Sequence, residues 1–64
     1  MTNITQKIME VLDKNSDRNL SMADITRLTN EDTRLVNETL FELARDEKIN
    51  VLHLKGKKLY HKRL

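Results

Sequence analysis

The chain has 64 residues, 38% hydrophobic and 34% charged, with one glycine and neither proline nor cysteine. This describes one small domain with a modest core. It excludes a disulfide framework and a thiolate zinc site within these residues, and no apolar run exceeds two residues, so neither a membrane span nor a signal segment is expected. A cytoplasmic protein is expected, and the formal charge of +2 says less than where the charges lie.

In chain order, Ile4, Ile8, Val11 and Leu12 follow the i, i+4, i+7, i+8 spacing of one helical face, which predicts a helix over 4–14 with Asn3 and Gln6 as a capping pair. The polar stretch Asn15 to Asn19 ends it, because Asn and Asp side chains compete for backbone hydrogen bonds. Leu20 stands alone, where a one- or two-residue strand fits. Ser21-x-x-Asp24 is a capping box that opens a second helix over 22–29, with Met22, Ile25 and Leu28 expected inward. Thr29 to Glu31 makes the turn. Asp32 is the best N-cap for a third helix over 33–47, its carboxylate favoured at the positive end of the helix dipole. Val36, Leu40, Leu43 and Ala44 form its inward stripe, with Leu35 and Phe41 beside it.

After Ile49 the period changes from helical to strand-like. Strands over 49–54 and 58–62 flank a Lys55-Gly56-Lys57 turn, in which Gly56 takes positive φ without steric cost. One face carries Ile49 and Val51 and the other Leu52 and Leu54, and a slip of one residue would exchange them. The charge changes with the period. Lys48, Lys55, Lys57, Lys58, Lys62 and Arg63 follow one another with no acid among them, so this tail is +6 and the first 47 residues carry 2 − 6 = −4.

Little in the chain suggests catalysis. There is no glycine-rich phosphate loop, and Ser16 and Ser21 sit in polar capping contexts without a histidine to activate them. His53 and His61 fall on opposite arms of the hairpin; two histidines without a third ligand make a poor metal site. No enzyme activity, cofactor, metal or small-molecule ligand is expected. The basic hairpin is the stronger signal. Lys55, Lys57 and Lys58 flank the turn, where they would gain affinity for phosphates by releasing counterions, or serve only to keep an exposed edge soluble. On the third helix Thr33, Arg34 and Asn37 are exposed, Arg34 suited to guanine and Asn37 to adenine. Glu38 and Glu42 share that face and would repel phosphate unless Arg34 or Arg45 neutralises them; a solvated face laced with ion pairs is the plainer account. Phe41 and Tyr60 would stack on a base or sugar, or plug the junction of helix and hairpin.

The element order helix, short strand, helix, helix, hairpin is that of an α+β winged helix-turn-helix of one domain over 1–64; a three-helix bundle with an irregular tail competes with it. The whole chain resembles winged-helix domains of bacterial and viral regulators, and Leu43-Ala-Arg-Asp-Glu-Lys-Ile49 with its hairpin is similar to small bacterial winged-helix proteins. The likeness implies a duplex-DNA-binding transcriptional regulator or accessory factor. Helix three would be in the groove through Thr33, Arg34, Asn37 and Phe41, and Lys55, Lys57, Lys58 and Tyr60 would belong to the wing. A narrower resemblance is to the Z-alpha domains, which bind Z-form nucleic acid. Their recognition helix carries Asn and, four residues on, Tyr, a spacing met by Asn37 and Phe41. Lys58-Leu59-Tyr60 places an aromatic near the position of their wing Trp, without their wing prolines. A function of another class uses the same fold for protein interaction, the acidic helix pairing with the basic hairpin between copies or on a larger partner.

Overall fold

The computed structural model describes residues 3–63; residues 1, 2 and 64, Met1 among them, lie outside. Helix α1 spans Ile4–Lys14, strand β1 Leu20–Ser21, α2 Met22–Thr29, α3 Thr33–Arg45, β2 Ile49–Leu54 and β3 Lys57–Lys62. The three strands form one antiparallel sheet in the order β1-β3-β2. The α+β winged helix-turn-helix expected from element order is the observed architecture.

Each helix starts where a side chain satisfies its free N–H groups. Asn3 accepts from the Gln6 amide at 2.8 Å. The Ser21 hydroxyl accepts from the Asp24 amide at 3.1 Å, while the Asp24 carboxylate accepts from the Ser21 amide at 3.2 Å, a complete capping box. Those bonds from Ser21, with the Arg27 guanidinium beside them, hold the Asp24 carboxyl below its ordinary value. Asp32 accepts from the Arg34 amide at 2.7 Å and the Leu35 amide at 3.4 Å.

The C-terminus of α3 departs from the expected 33–47. It stops at Arg45 because Glu47 turns left-handed, with φ 56°. The Lys48 amide then donates to Leu43 at 2.9 Å and the Glu47 amide to Ala44 at 3.1 Å, the paired bonds of a Schellman cap. Glycine is the usual residue there, so glutamate hid the stop. Asn30, with φ 55°, turns the chain between α2 and α3 at a residue type that tolerates this region.

The core draws on every element: Ile8 and Leu12 of α1, Leu20 of β1, Ile25 of α2, Val36, Leu40 and Leu43 of α3, Ile49 of β2 and Tyr60 of β3. Met9, Met22 and Ala44 pack against it. Leu28, expected inward, is 44% exposed. On this two-turn helix the inward positions are Ile25 and Thr29, four residues apart. Thr29 is tolerated inside because its hydroxyl donates to the Ile25 carbonyl at 2.8 Å; Thr39 of α3 is likewise buried and donates to Leu35 at 2.8 Å.

The hairpin turn is tighter than expected. Lys55 has φ 47° and Gly56 φ 78°, the two positive angles of a type I′ turn, and β3 begins at Lys57 rather than Lys58. The register runs unbroken from Ile49↔Lys62 to Leu54↔Lys57. It settles the faces as expected: Ile49, Val51 and Tyr60 point to the helices, and Leu52, Leu54 and Leu59 point away. Two contacts fasten the sheet to α1 and the loop after it. Lys62 Nζ lies 3.3 Å from Asp13. The ring nitrogens of His61 lie 2.7 Å from the Lys62 carbonyl oxygen and 2.6 Å from that of Ser16.

Candidate nucleic-acid interface

Asn37, Phe41 and Arg45 recur every four residues on α3 and therefore stack along one exposed stripe, about 6 Å apart in axial rise. Across from them the helix-facing side of the hairpin presents His53 and Lys58, which are register partners. Between the two runs an open groove of about 470 Å³, lined by Asn37, Phe41 and Arg45 on one wall and His53, Lys58 and Tyr60 on the other. Leu40, Ala44 and Val51 form its apolar base. A second hollow beside it is lined by Asn37, Glu38, Phe41, Glu42, Arg45 and Lys58.

The two aromatics part company. Phe41 is 67% exposed and Tyr60 only 6%. Tyr60 pairs with Leu20 on one side and Val51 on the other, so its ring belongs to the core and cannot stack on a base. That corrects its placement among the nucleic-acid contacts. Burial pushes its phenol above the ordinary value. Phe41 does the reverse: it does not plug the junction, and it remains available on the surface.

The remaining candidates divide by position. Thr33 and Arg34 lie at the N-terminal end of α3, about 17 Å in helical rise from Arg45. Arg34 Nε is 3.9 Å from Glu38, so that pair is partly neutral; Arg45 instead meets Asp46 at 3.6 Å. Glu42 has no ion-pair partner among the described residues. On the wing, Lys58 points to α3, Lys57 to the opposite face and Lys55 occupies the turn. None of the three pairs with an acid among the described residues, whereas Lys62 holds Asp13 and Arg63 donates to the Glu47 carbonyl at 2.7 Å. The basic tail thus splits into structural cations at its end and unpaired ones at the hairpin tip.

Arg45 and His53 also line the groove, although the sequence marks Arg45 only as a counter-ion for the helix acids and His53 only as one of two histidines. Arg45 was legible as the third member of the Asn37–Phe41 stripe. His53 needed the register that sets it opposite Lys58. His53 and His61 lie on opposite faces of the hairpin and cannot share a ligand. Among the described residues no group of three His, Cys, Asp or Glu side chains gathers as a metal site, and no helix is long and apolar enough to cross a membrane.

Fold and groove together define a winged helix-turn-helix domain, with α3 in the place of the recognition helix and the β2–β3 hairpin as the wing. No family model matches the chain, and no curated protein does. Among solved structures it is similar to a ferric uptake regulator from Francisella tularensis, determined with iron, at a TM-score of 0.84 and 24% identity. The likeness covers 97% of this chain and 52% of that one, so the chain spans about half the length of its structural neighbour. At that identity the fold is what the two share.

Proposed function

We propose that this domain binds duplex DNA without catalysing a reaction, as a small transcriptional regulator or as the DNA-contacting part of one. The observation that carries the proposal is the exposed stripe Asn37, Phe41 and Arg45 of α3 set beside three lysines without acid partners on the adjoining hairpin. A helix enters the major groove of B-DNA and reads base edges, while flanking cations hold phosphates. In this reading Asn37 contacts adenine and Arg34, at the leading end of α3, contacts guanine or a phosphate beside it. Thr33 donates to the backbone, and Lys55, Lys57 and Lys58 hold the phosphates along the wing. The fold shared with a protein named as a regulator supports the same reading.

Fluorescence anisotropy with a labelled mixed-sequence duplex tests it. Affinity is expected to fall steeply between about 50 and 200 mM salt, since each neutralised phosphate releases a counterion. No binding at the lower salt removes the proposal.

Z-form nucleic acid is a narrower reading of the same surface. Asn37 and Phe41 stand exposed one turn apart beside Lys58, which favours it; the burial of Tyr60 takes away the aromatic that the resemblance placed on the wing. Circular dichroism of an alternating CG duplex decides the matter, and an uninverted spectrum on adding protein rejects the Z-form. A protein-interaction role draws on the unpaired Glu42 of α3 and the unpaired hairpin lysines, which would attract one another between copies. Sedimentation at low salt tests it, and a strictly monomeric protein that binds DNA argues against it.

A further inference from the structure

We propose that the groove between α3 and the wing takes up one unpaired nucleotide of a DNA strand, with its base laid against Phe41. The inference rests on the DNA-binding reading and names the feature of DNA that this surface prefers, a base outside the stack.

An intact duplex leaves the deepest part of the groove without a partner. In the major groove a helix meets base edges, which carry hydrogen-bonding groups, and the residues around it meet phosphates. Neither suits the floor of this groove, where the half-buried side chains of Ala44 and Val51 are apolar. Nor does an intact duplex offer a flat surface to Phe41, because each base is covered by its neighbours. Yet Phe41 is the most exposed large hydrophobic side chain among the described residues, at 67%. Its ring lines both this groove and the hollow beside it, and so forms a ridge between them. An exposed aromatic beside cations is a platform on which an unpaired base of any identity stacks.

Charge decides which side of the ridge is filled. The hollow beyond Phe41 is lined by Glu38 and Glu42, which repel a phosphate. The groove on the hairpin side has no acid among its described lining residues, and it has a cation on each wall, Arg45 on the helix and Lys58 on the hairpin. A nucleotide within a strand carries a phosphate on either side, and cations on two walls match that pattern. Lys58 has no acid partner among the described residues. Arg45 meets Asp46 at 3.6 Å with 64% of its side chain exposed, so its guanidinium is free to turn to a phosphate. Asn37, one turn before Phe41 on the same stripe, adds an amide that both donates and accepts, as a base edge does.

Size agrees with this occupant. The groove's volume of about 470 Å³ lies within the range of roughly 300–1,000 Å³ typical of sites for small organic molecules, which leaves room for a base and its sugar. An acyl chain would match the floor and leave both cations and the amide unused. A nucleotide uses all of them.

Fluorescence anisotropy with three labelled DNAs of one mixed sequence is the test. The first is the intact duplex, the second carries one extra unpaired adenine, and the third carries an abasic residue in place of that adenine. The adenine bulge should bind about tenfold more tightly than the intact duplex, the scale of one base stacked on an aromatic ring. The abasic bulge keeps the extra phosphate and the bend but lacks the base, and it should bind like the intact duplex. Phe41→Ala should remove the preference for the adenine bulge and leave affinity for the intact duplex unchanged, whereas Phe41→Trp should keep the preference. An adenine bulge bound no better than the intact duplex, an abasic bulge bound as tightly as the adenine bulge, or a preference that survives Phe41→Ala overturns the proposal and leaves the DNA reading standing. Absence of binding to all three DNAs removes the DNA reading, and the inference falls with it.

Discussion

Helix α3 and the β2–β3 hairpin face one groove with different electrostatics. The helix shows mixed charge, Arg34 against Glu38 and Arg45 against Asp46, with Glu42 left over. The hairpin tip shows Lys55, Lys57 and Lys58 with no acid partner among the described residues. Their aromatics are also reversed, Phe41 exposed on the helix and Tyr60 buried under the hairpin. On the DNA-binding reading proposed above, the difference teaches that attraction to phosphate would reside in the wing, whereas the helix would supply shape and a few polar groups at the cost of some repulsion. An ion pair as exposed as Arg34–Glu38 contributes little to stability, so Arg34 can leave Glu38 for a better acceptor.

The contrast can be broken most severely at its two aromatics. Tyr60→Ala should destabilise the domain by about 3–5 kcal/mol, a large part of what so small a core supplies, whereas Phe41→Ala should change stability by less than about 0.5 kcal/mol. Thermal unfolding of the two variants checks this. If Phe41 stacks on a base, its removal still weakens single-strand or distorted-duplex binding by about 1–3 kcal/mol.

Next in size is the wing. Replacing Lys55, Lys57 and Lys58 together with alanine should flatten the log–log salt dependence of DNA affinity by about 2.7, at about 0.9 for each phosphate contact. Asn37→Ala should behave differently, costing about 1–3 kcal/mol at one base pair and relaxing sequence preference without changing the salt slope. Glu42→Lys should raise affinity several-fold and steepen the slope by about one contact, since it turns the unpaired acid of the helix into a cation.

The smallest effect lies away from the groove. Asp24 has its carboxyl lowered in the folded state by the bonds from Ser21, so the folded chain gives up a proton more readily than the unfolded one. The resulting stabilisation is present above the unfolded-state value and is lost as pH falls through the lowered one. Asp24→Asn should therefore make acid unfolding less steep, as followed by circular dichroism on lowering the pH.

Much of this architecture was legible because local signals agreed. Asn3, the Ser21–Asp24 box and Asp32 placed all three helix starts, and the change of period at Ile49 with Gly56 marked the hairpin. What sequence hid were conformations taken by uncharacteristic residues. Glu47 occupies a left-handed cap where glycine is usual, so α3 read two residues too long. Lys55 shares the positive-φ turn, so the hairpin read one residue too loose. The site was only half legible. Of the candidates, Asn37, Phe41 and Lys58 line one groove. Tyr60 stayed open between stacking on a base and plugging the junction because a strand residue's face depends on register, and His53 read only as one of two histidines for the same reason.

The central claim is that α3 and the wing form one DNA-binding surface. Amide chemical shifts of isotope-labelled protein, titrated with mixed-sequence duplex at low salt, test it most directly. The account predicts perturbations confined to residues 33–45 and 53–58, with α1 unaffected. Unchanged shifts across both segments, or changes centred on α1, would contradict it.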